Sequence, residues 1–201
     1  MSTADRIFAK YRLPISRILG VLMLAFVLVA APPRFRASWI EGFGEVAGLV
    51  LLALAALGRI WCAVYINGRK DKELQTSGPY SITRNPLYVF SFAGAVGFGL
   101  AVENPWLSIG LALWFVVYYS LTVSQEEHVL ASLFGDDYAR YCAVTPRWIP
   151  NFRLYREPPT LEVFPGRIAH AILDAMWFVW AFALWEVLEE LRRMGIVHTW
   201  L

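Results

Sequence analysis

Charged residues are scarce in this chain. Only 17% of its 201 residues are Asp, Glu, Lys or Arg, while 58% are hydrophobic. Soluble globular domains carry about 25% charged residues, so this composition excludes an ordinary soluble domain. The net charge is only +2, and the basic residues are not interleaved with aromatic residues on a polar surface. We therefore expect no nucleic-acid-binding function.

Cysteine and histidine are scarce as well. The two cysteines, Cys62 and Cys142, make no disulfide framework, and we interpret both as free thiols. The three histidines show no ligand-like spacing with other metal-binding residues, so no metal site is expected. The chain also has no internal repeat and no low-complexity tract.

Long hydrophobic runs are what the sequence does contain. Five of them are long enough, or nearly so, to cross about 30 Å of hydrocarbon as helices. They cover residues 15–31, 44–66, 87–102, 106–123 and 168–187. Three residues separate the third run from the fourth, which predicts a tight helical hairpin. The sequence thus predicts an all-α polytopic membrane protein with five transmembrane helices, forming a single domain over residues 1–201.

Lysine and arginine are distributed unevenly along the chain. They concentrate before the first run and in two long polar stretches, residues 67–86 and 124–167. In a five-span topology these regions share one side of the membrane, and such an excess favours the cytoplasm. We expect a cytoplasmic N-terminus, a C-terminus on the opposite side, and a first run that is retained rather than removed as a signal peptide.

Two polar features accompany the fourth run. Leu130, Phe134 and Tyr138 recur every four residues, which predicts that its helix continues to Gly135 before a second short helix begins. Glu126 and Glu127 lie at the membrane boundary, and neighbours on a helix point about 100° apart. One of these carboxylates can therefore face inward while the other faces elsewhere.

Other ionisable residues lie within or near the predicted spans. Arg59 falls inside the second run, whereas His170 and Asp174 are four residues apart near the cytoplasmic end of the fifth. That spacing puts His170 and Asp174 on one helix face. They could line a polar cavity or be ordinary interfacial residues, and the sequence leaves both interpretations open.

Two segments together resemble a known family. They are LQTSGPYSITRNPLY, residues 74–88, and EEHVLASLFGDDYARYCAVTPRWIP, residues 126–150, with a two-span hairpin between them. In this order they resemble the integral-membrane isoprenylcysteine carboxyl methyltransferases and phospholipid methyltransferases, over a core of about residues 70–150. One residue departs from the family pattern, because Asn85 stands where the family has a histidine. Asparagine can exchange hydrogen bonds but cannot titrate near neutral pH.

The resemblance implies an enzyme that uses S-adenosylmethionine and releases S-adenosylhomocysteine. It implies a cytoplasmic cofactor pocket roofed by the two segments, and a lipidic acceptor that reaches the pocket sideways from the bilayer. The cofactor-binding residues that it implies are Leu74, Thr76, Gly78, Tyr80, Asn85, Pro86, Tyr88 and Glu127. The catalytic residues that it implies are Arg84, Glu126 and Arg147.

The acceptor is the most open question at this point. Carboxyl O-methylation is favoured, because an arginine can orient an anionic acceptor that needs no general base. Head-group N-methylation of a phospholipid is the alternative, and there a glutamate would serve as the base. A sterol-reductase-like enzyme and a non-catalytic membrane scaffold are the remaining alternatives.

Overall fold

The computed structural model describes residues 38–70 and 72–196. Within them every regular element is a helix, which confirms the predicted fold class for this part of the chain. The helices are α1 (Ser38–Ile66), α2 (Pro79–Ile82), α3 (Pro86–Ala101), α4 (Pro105–Val144), a short 3-10 helix (Phe152–Leu154), α5 (Pro165–Ala175) and α6 (Trp177–Arg193). The first predicted span, residues 15–31, lies outside the described residues.

Three stretches of helix are long and apolar enough to cross a membrane. They are Gly42–Ile66, Trp106–Val144 and Pro165–Arg193, and the shorter α3 is also apolar. Large apolar side chains on these stretches are exposed, Trp106 among them at 72%. Such surfaces are rare on soluble proteins and are stable against lipid. The polytopic membrane protein predicted from the hydrophobic runs is therefore confirmed.

Contacts divide the described residues into two units, 38–182 and 183–196. In the larger unit, α3 packs against both α1 and α4, and α1 also packs against α5. In the smaller unit, the guanidinium of Arg192 lies over the ring of Trp185 at 5.4 Å. A single domain over the whole chain stays a prediction.

The contact between α1 and α3 depends on small residues. A Cβ on Gly48 would lie 2.4 Å from the backbone nitrogen of Ala101, and a Cβ on Gly97 would lie 2.9 Å from the carbonyl oxygen of Gly48. Glycine lets two membrane helices approach this closely. The glycine-rich stretch of α3 is thus a helix-packing surface.

The helical hairpin has the predicted form. The side chain of Asn104 caps α4 by accepting a hydrogen bond from the N–H of Leu107 at 2.9 Å. Helix α4 then runs far past the predicted membrane boundary, and Gly135 interrupts its helical geometry with φ 49° and ψ −121°. The predicted continuation to Gly135 and the second helix beyond it are confirmed.

The predicted fifth span differs in one respect. It contains two helices, because α5 ends at Ala175 and α6 begins at Trp177, with Met176 as the C-cap between them. Neither glycine nor proline marks this break between residues 168 and 187, so hydrophobic periodicity could not reveal it.

Candidate functional site

The loop before α3 and the segment after α4 run side by side in opposite directions. The N–H of Gly78 donates to the carbonyl oxygen of Arg156 at 2.7 Å, and the N–H of Arg84 donates to that of Pro146 at 2.8 Å. These bonds join the two motif-bearing parts of the chain into one polar layer. The predicted pairing of the two segments therefore has a backbone scaffold.

Gly78 makes this layer possible. Its φ of 58° lies in the left-handed region, and a Cβ there would come within 2.3 Å of the buried ring of Tyr65. Only glycine adopts this conformation at little cost, and only glycine leaves room for the ring. The tight turn at Gly78 thus has its reason in a close contact with Tyr65.

We expect Gly78→Ala to destabilise the protein by at least about 2 kcal/mol, from backbone strain and from displacement of the Tyr65 ring. Thermal unfolding in detergent measures this change. Gly166→Ala is the matched control, because no atom lies within 4 Å of a Cβ built there. Equal unfolding temperatures for the two variants would contradict the proposed role of Gly78.

Asn85 connects the two segments through its side chain. It occupies the N-cap position of α3, but its side chain makes no capping hydrogen bond. Its Nδ2 instead donates to the carbonyl oxygen of Arg147 at 3.1 Å, which also accepts from the hydroxyl of Thr83 at 3.2 Å. This contact requires a hydrogen-bond donor and does not require a titratable group.

We expect Asn85→Ala to cost about 0.5–1.5 kcal/mol of stability, because one hydrogen bond is lost while Thr83 keeps the carbonyl paired. Asn85→His, which installs the family residue, should keep more of this stability because imidazole also donates. Thermal unfolding and S-adenosylhomocysteine binding of both variants test whether residue 85 acts as a hydrogen-bond donor. A histidine variant less stable than the alanine variant would contradict it.

Three charged side chains form a cluster where the segments meet. Oε1 of Glu127 accepts from Nη1 of Arg84 at 3.4 Å and from Nε of Arg147 at 3.1 Å, while Oε2 lies 2.8 Å from Nη2 of Arg147. Nη2 of Arg147 also donates to the hydroxyl of Ser124 at 2.9 Å. One carboxylate between two guanidinium groups leaves the cluster with a net positive charge.

Arg84 keeps unused hydrogen-bonding capacity. Its Nη1 also donates to Sγ of Cys142 at 3.1 Å, but its buried Nε has no hydrogen-bond partner among the described residues. Burial lowers the pKa of Arg84, and its neighbours Cys142 and Glu127 outweigh this effect, so the pKa lies above its ordinary value. Arg84 therefore stays cationic at any physiological pH.

Glu126 has a different set of partners. Its Oε2 accepts from the hydroxyl of Tyr88 at 2.9 Å, and its Oε1 lies 3.7 Å from Nζ of Lys70. The ring of Tyr88 lies 5.0 Å from that of Tyr119 on α4. The two adjacent glutamates thus point to different surroundings, as the helix geometry predicts.

Tyr80 is held through its backbone. Its carbonyl oxygen accepts from the hydroxyl of Tyr141 at 2.7 Å. Burial raises the pKa of the Tyr80 phenol well above its ordinary value, so this side chain stays neutral.

Two cavities lie beside this polar layer. The larger, about 790 Å³, has Arg84 in its wall and apolar side chains that include Val144, Ile149 and Phe152. The smaller, about 500 Å³, is lined from both segments, and its lining includes Leu74, Thr76, Tyr141, two carboxylates and two guanidinium groups. Val144 and Thr145 line both cavities, so the two spaces are neighbours.

The structure gives the predicted site residues different positions. Arg84, Glu127 and Arg147 share one cluster, and Glu126 pairs with Tyr88. Leu74 and Thr76 line the smaller cavity. Four others line neither of the two cavities and belong to the scaffold around them: Gly78, Tyr80, Asn85 and Pro86. The roles of all these residues in binding and catalysis stay predictions.

Three side chains that contact the predicted charged residues were not predicted, and neither were the four charged residues that line the smaller cavity. Lys70 contacts Glu126, Ser124 contacts Arg147, and Cys142 contacts Arg84. The basic end of the second span could have drawn attention to Lys70. No sequence pattern indicated Ser124 or Cys142, because their importance comes from tertiary contacts alone.

A comparison with protein families matches part of the chain. The phospholipid methyltransferase family model covers residues 44–137. This range contains the first motif segment, the helical hairpin and both glutamates, and it ends before Arg147. The match therefore includes most of the residues that form the polar layer.

Individual relatives extend this similarity. The nickel-cobalt-cadmium resistance protein NccN of Alcaligenes xylosoxydans xylosoxydans is 36% identical over 180 residues, which cover 89% of this chain and 83% of the relative. The cobalt-zinc-cadmium resistance protein CzcN of Cupriavidus metallidurans is 33% identical over 194 residues, covering 96% and 89%. A protein-S-isoprenylcysteine O-methyltransferase of Xenopus laevis is 32% identical over 118 residues, covering 58% and 40%. No solved structure matches the chain.

Proposed function

Because this chain belongs to the family of integral-membrane methyltransferases that includes the phospholipid and isoprenylcysteine enzymes, we propose that it methylates a carboxylate on a lipidic or lipidated acceptor, with S-adenosylmethionine as the methyl donor. One observation carries the choice of a carboxylate. Arg84 lies in the wall of the larger cavity, beside apolar side chains, in a cluster whose net charge is positive. An apolar molecule that bears an anionic group matches both properties.

The smaller cavity suits the cofactor. Its volume lies within the range typical of small-molecule sites. S-adenosylmethionine carries an ammonium and a carboxylate, and the lining offers both kinds of partner, with carboxylates at Asp137 and Glu157 and guanidinium groups at Arg140 and Arg156. Leu74 and Thr76, expected to bind the cofactor, line the same space. When bound, this cofactor supplies an electrophilic methyl group attached to a sulfonium.

The protein's own residues then have to align the acceptor. Glu127 and its bonds hold Arg84 in position, and Arg84 orients the acceptor carboxylate from the wall of the larger cavity. A carboxylate is already anionic, so no residue has to remove a proton before methyl transfer. The main tasks of the chain are therefore alignment and the exclusion of water.

Head-group N-methylation is the second candidate, and Glu126 is the observation that favours it. Its side chain is 31% exposed, and it is bound by Tyr88 and Lys70 rather than by an arginine. A carboxylate in this position could accept the proton that an ammonium must lose before it is methylated. The identity of the methylated product decides between the two candidates.

We place the site at the cytoplasmic face, with the N-terminus in the cytoplasm and the C-terminus across the membrane. The distribution of lysine and arginine supports this orientation. With Cys62 and Cys142 replaced by serine, the accessibility of a single cysteine introduced at Gly195, compared with one at Glu157, tests this orientation in sealed vesicles. Labelling of both positions from the same side would contradict the proposed topology.

Two relatives are named for metal resistance, and the proposed reaction offers a physical link to that property. Methyl esterification removes the negative charge of a carboxylate, which is a ligand for divalent cations. We propose that a resistance function of this chain would depend on its methyl transfer. A variant that loses methyl transfer but keeps full cadmium tolerance in a resistant host would refute this link.

Binding measurements test the cofactor first. S-adenosylhomocysteine should raise the unfolding temperature of the purified protein in detergent and give a calorimetric binding signal, whereas a reduced nicotinamide dinucleotide should do neither. If S-adenosylhomocysteine neither raised the unfolding temperature nor gave a calorimetric signal, the methyltransferase proposal would be wrong. A response to the nicotinamide cofactor alone would support the reductase alternative.

Product analysis tests the acceptor. Radiolabelled methyl groups should enter a lipid or lipidated protein fraction, and mild base should release them as expected for an ester. Base-stable label in the lipid fraction would indicate N-methylation and overturn the carboxylate proposal while leaving the methyltransferase assignment intact.

A further inference from the structure

Arg59 lies within a membrane-spanning stretch and is not part of the polar layer. Arg59 is on α1, seven residues before the helix ends at Ile66, or about 10 Å along its axis. Its side chain is only 17% exposed. Ionisable residues inside a span are costly to retain and generally mark a function.

The guanidinium of Arg59 contacts two other helices. Its Nη1 donates to the hydroxyl of Ser91 on α3, and its Nη2 lies 2.5 Å from Oδ2 of Asp174 on α5. Asp174 is one of the two residues on this helix whose role the sequence left open. The tertiary structure makes it the counter-ion of an arginine on another span.

The guanidinium of Arg59 has two parallel donors, Nε and Nη2, and only Nη2 of these two has a partner among the described residues. Arginine binds a carboxylate or phosphate most strongly when Nε and Nη2 donate in parallel to two oxygens. Asp174 contacts Nη2 with one oxygen, and the buried Nε has no hydrogen-bond partner within the described residues. A two-oxygen anion would satisfy both donors.

Asp174 is a replaceable partner. Its side chain is 75% exposed on the surface of a membrane-spanning stretch. An ion pair with one exposed partner and one hydrogen bond contributes little compared with a bidentate pair.

This pair also lies close to the proposed site. Ser91, which accepts from Arg59, lies three residues after Tyr88 on α3, so the two side chains share one helix face. The ring of Tyr119 packs against Tyr88, whose hydroxyl binds Glu126. Helix α3 thus carries both a partner of Arg59 and a partner of Glu126.

We propose that Arg59 is a membrane-embedded binding site for the anionic group of a lipid, with Asp174 as an internal counter-ion that this group replaces. The ligand is a carboxylate or phosphate attached to an apolar tail. If the tail belongs to the methyl acceptor, the site lies on its route from the bilayer, and that part of the inference rests on the proposed function. Anion binding at Arg59 itself does not depend on the proposed function.

Binding without cofactor tests this site. The probes are N-acetyl-S-farnesylcysteine and a phosphatidylglycerol, with the methyl ester of the former and a diacylglycerol as uncharged counterparts. Each is titrated into purified full-length protein in non-ionic detergent, and the unfolding temperature and the dissociation constant are measured. Preference for one anionic probe identifies the source of the anion.

The two partners of the pair should respond in opposite directions. Arg59→Gln should weaken binding of the anionic probe at least about tenfold, because charge-assisted hydrogen bonds are lost. Asp174→Asn should tighten it about fivefold, because the competing carboxylate is gone. Arg193→Gln, which alters an exposed arginine of the smaller unit, should change nothing.

A purely structural pair gives a different pattern. In that case both variants would unfold at lower temperature, and neither would bind the anionic probes differently from the parent protein. That result, or equal binding of charged and neutral probes, would overturn the proposal. S-adenosylhomocysteine binding is measured in parallel, so failure at Arg59 is distinguishable from failure of the methyltransferase assignment.

Discussion

Replacing Glu127 by glutamine is expected to lower methyl transfer at least about 100-fold, because Glu127 holds two arginines of the proposed site at once. The substitution preserves size and removes the charge between Arg84 and Arg147. The two guanidinium groups then repel each other without a counter-ion. We expect a loss of about 1–3 kcal/mol in stability as well, since hydrogen bonds to charged groups are the stronger kind but this cluster is partly exposed.

Single-turnover methyl transfer and thermal unfolding measure these effects. Glu190→Gln is the matched control, because Glu190 forms an exposed pair with Arg193 at 3.5 Å and should tolerate the change in both assays. Glu126→Gln adds a comparison at the adjacent position. It removes no arginine contact, so its unfolding temperature should lie closer to that of the parent protein. A Glu127→Gln protein with parental turnover would refute the role of the cluster.

Replacing Arg84 by lysine is expected to lower turnover about 100- to 1,000-fold, while S-adenosylhomocysteine binds nearly as well as before. Lysine keeps the positive charge but lacks the planar fork that can orient a carboxylate. The backbone bond from residue 84 to Pro146 does not involve the side chain and should survive the substitution. A loss in turnover without a loss in cofactor binding distinguishes acceptor alignment from general disruption.

Arg84→Ala and Arg193→Lys complete this experiment. The alanine variant should lose at least as much turnover as the lysine variant and should also be less stable, because Glu127 loses a cationic partner. Arg193→Lys preserves an exposed charge pair and should behave like the parent protein. If Arg84→Lys retained full turnover, a positive charge alone would suffice and the proposed alignment by the guanidinium fork would be wrong.

Much of the fold was predictable because membrane helices have strong local signals. A run of apolar residues long enough to cross the hydrocarbon has few structural alternatives to a helix. The hairpin at Asn104 and the change of geometry at Gly135 were also predictable, because capping residues and glycine affect the backbone of their immediate neighbours. The break at Met176 was not predictable, because no local residue type marks it and both flanking stretches favour helix.

The site was predictable only in part. The two motif segments and their arginine and glutamates could be recognised from residue identity and order. The partners of those residues could not, because the contacts of Cys142 with Arg84 and of Lys70 with Glu126 join positions that are more than 50 residues apart in the sequence. The part played by Asn85 was also hidden, because its side chain contacts a carbonyl oxygen that only the folded chain brings near.

The sequence by itself determined that this protein is helical, that it belongs in a membrane, and that its polar residues gather in two stretches that resemble a methyltransferase motif. Composition, hydrophobic run length and residue order carry that information, and none of them requires a tertiary contact. Only the tertiary structure decided that Glu127 rather than Glu126 lies between the two arginines, and that Asp174 pairs with Arg59. These choices depend on distances between helices, and charged side chains select partners by proximity in space and not by spacing in the sequence.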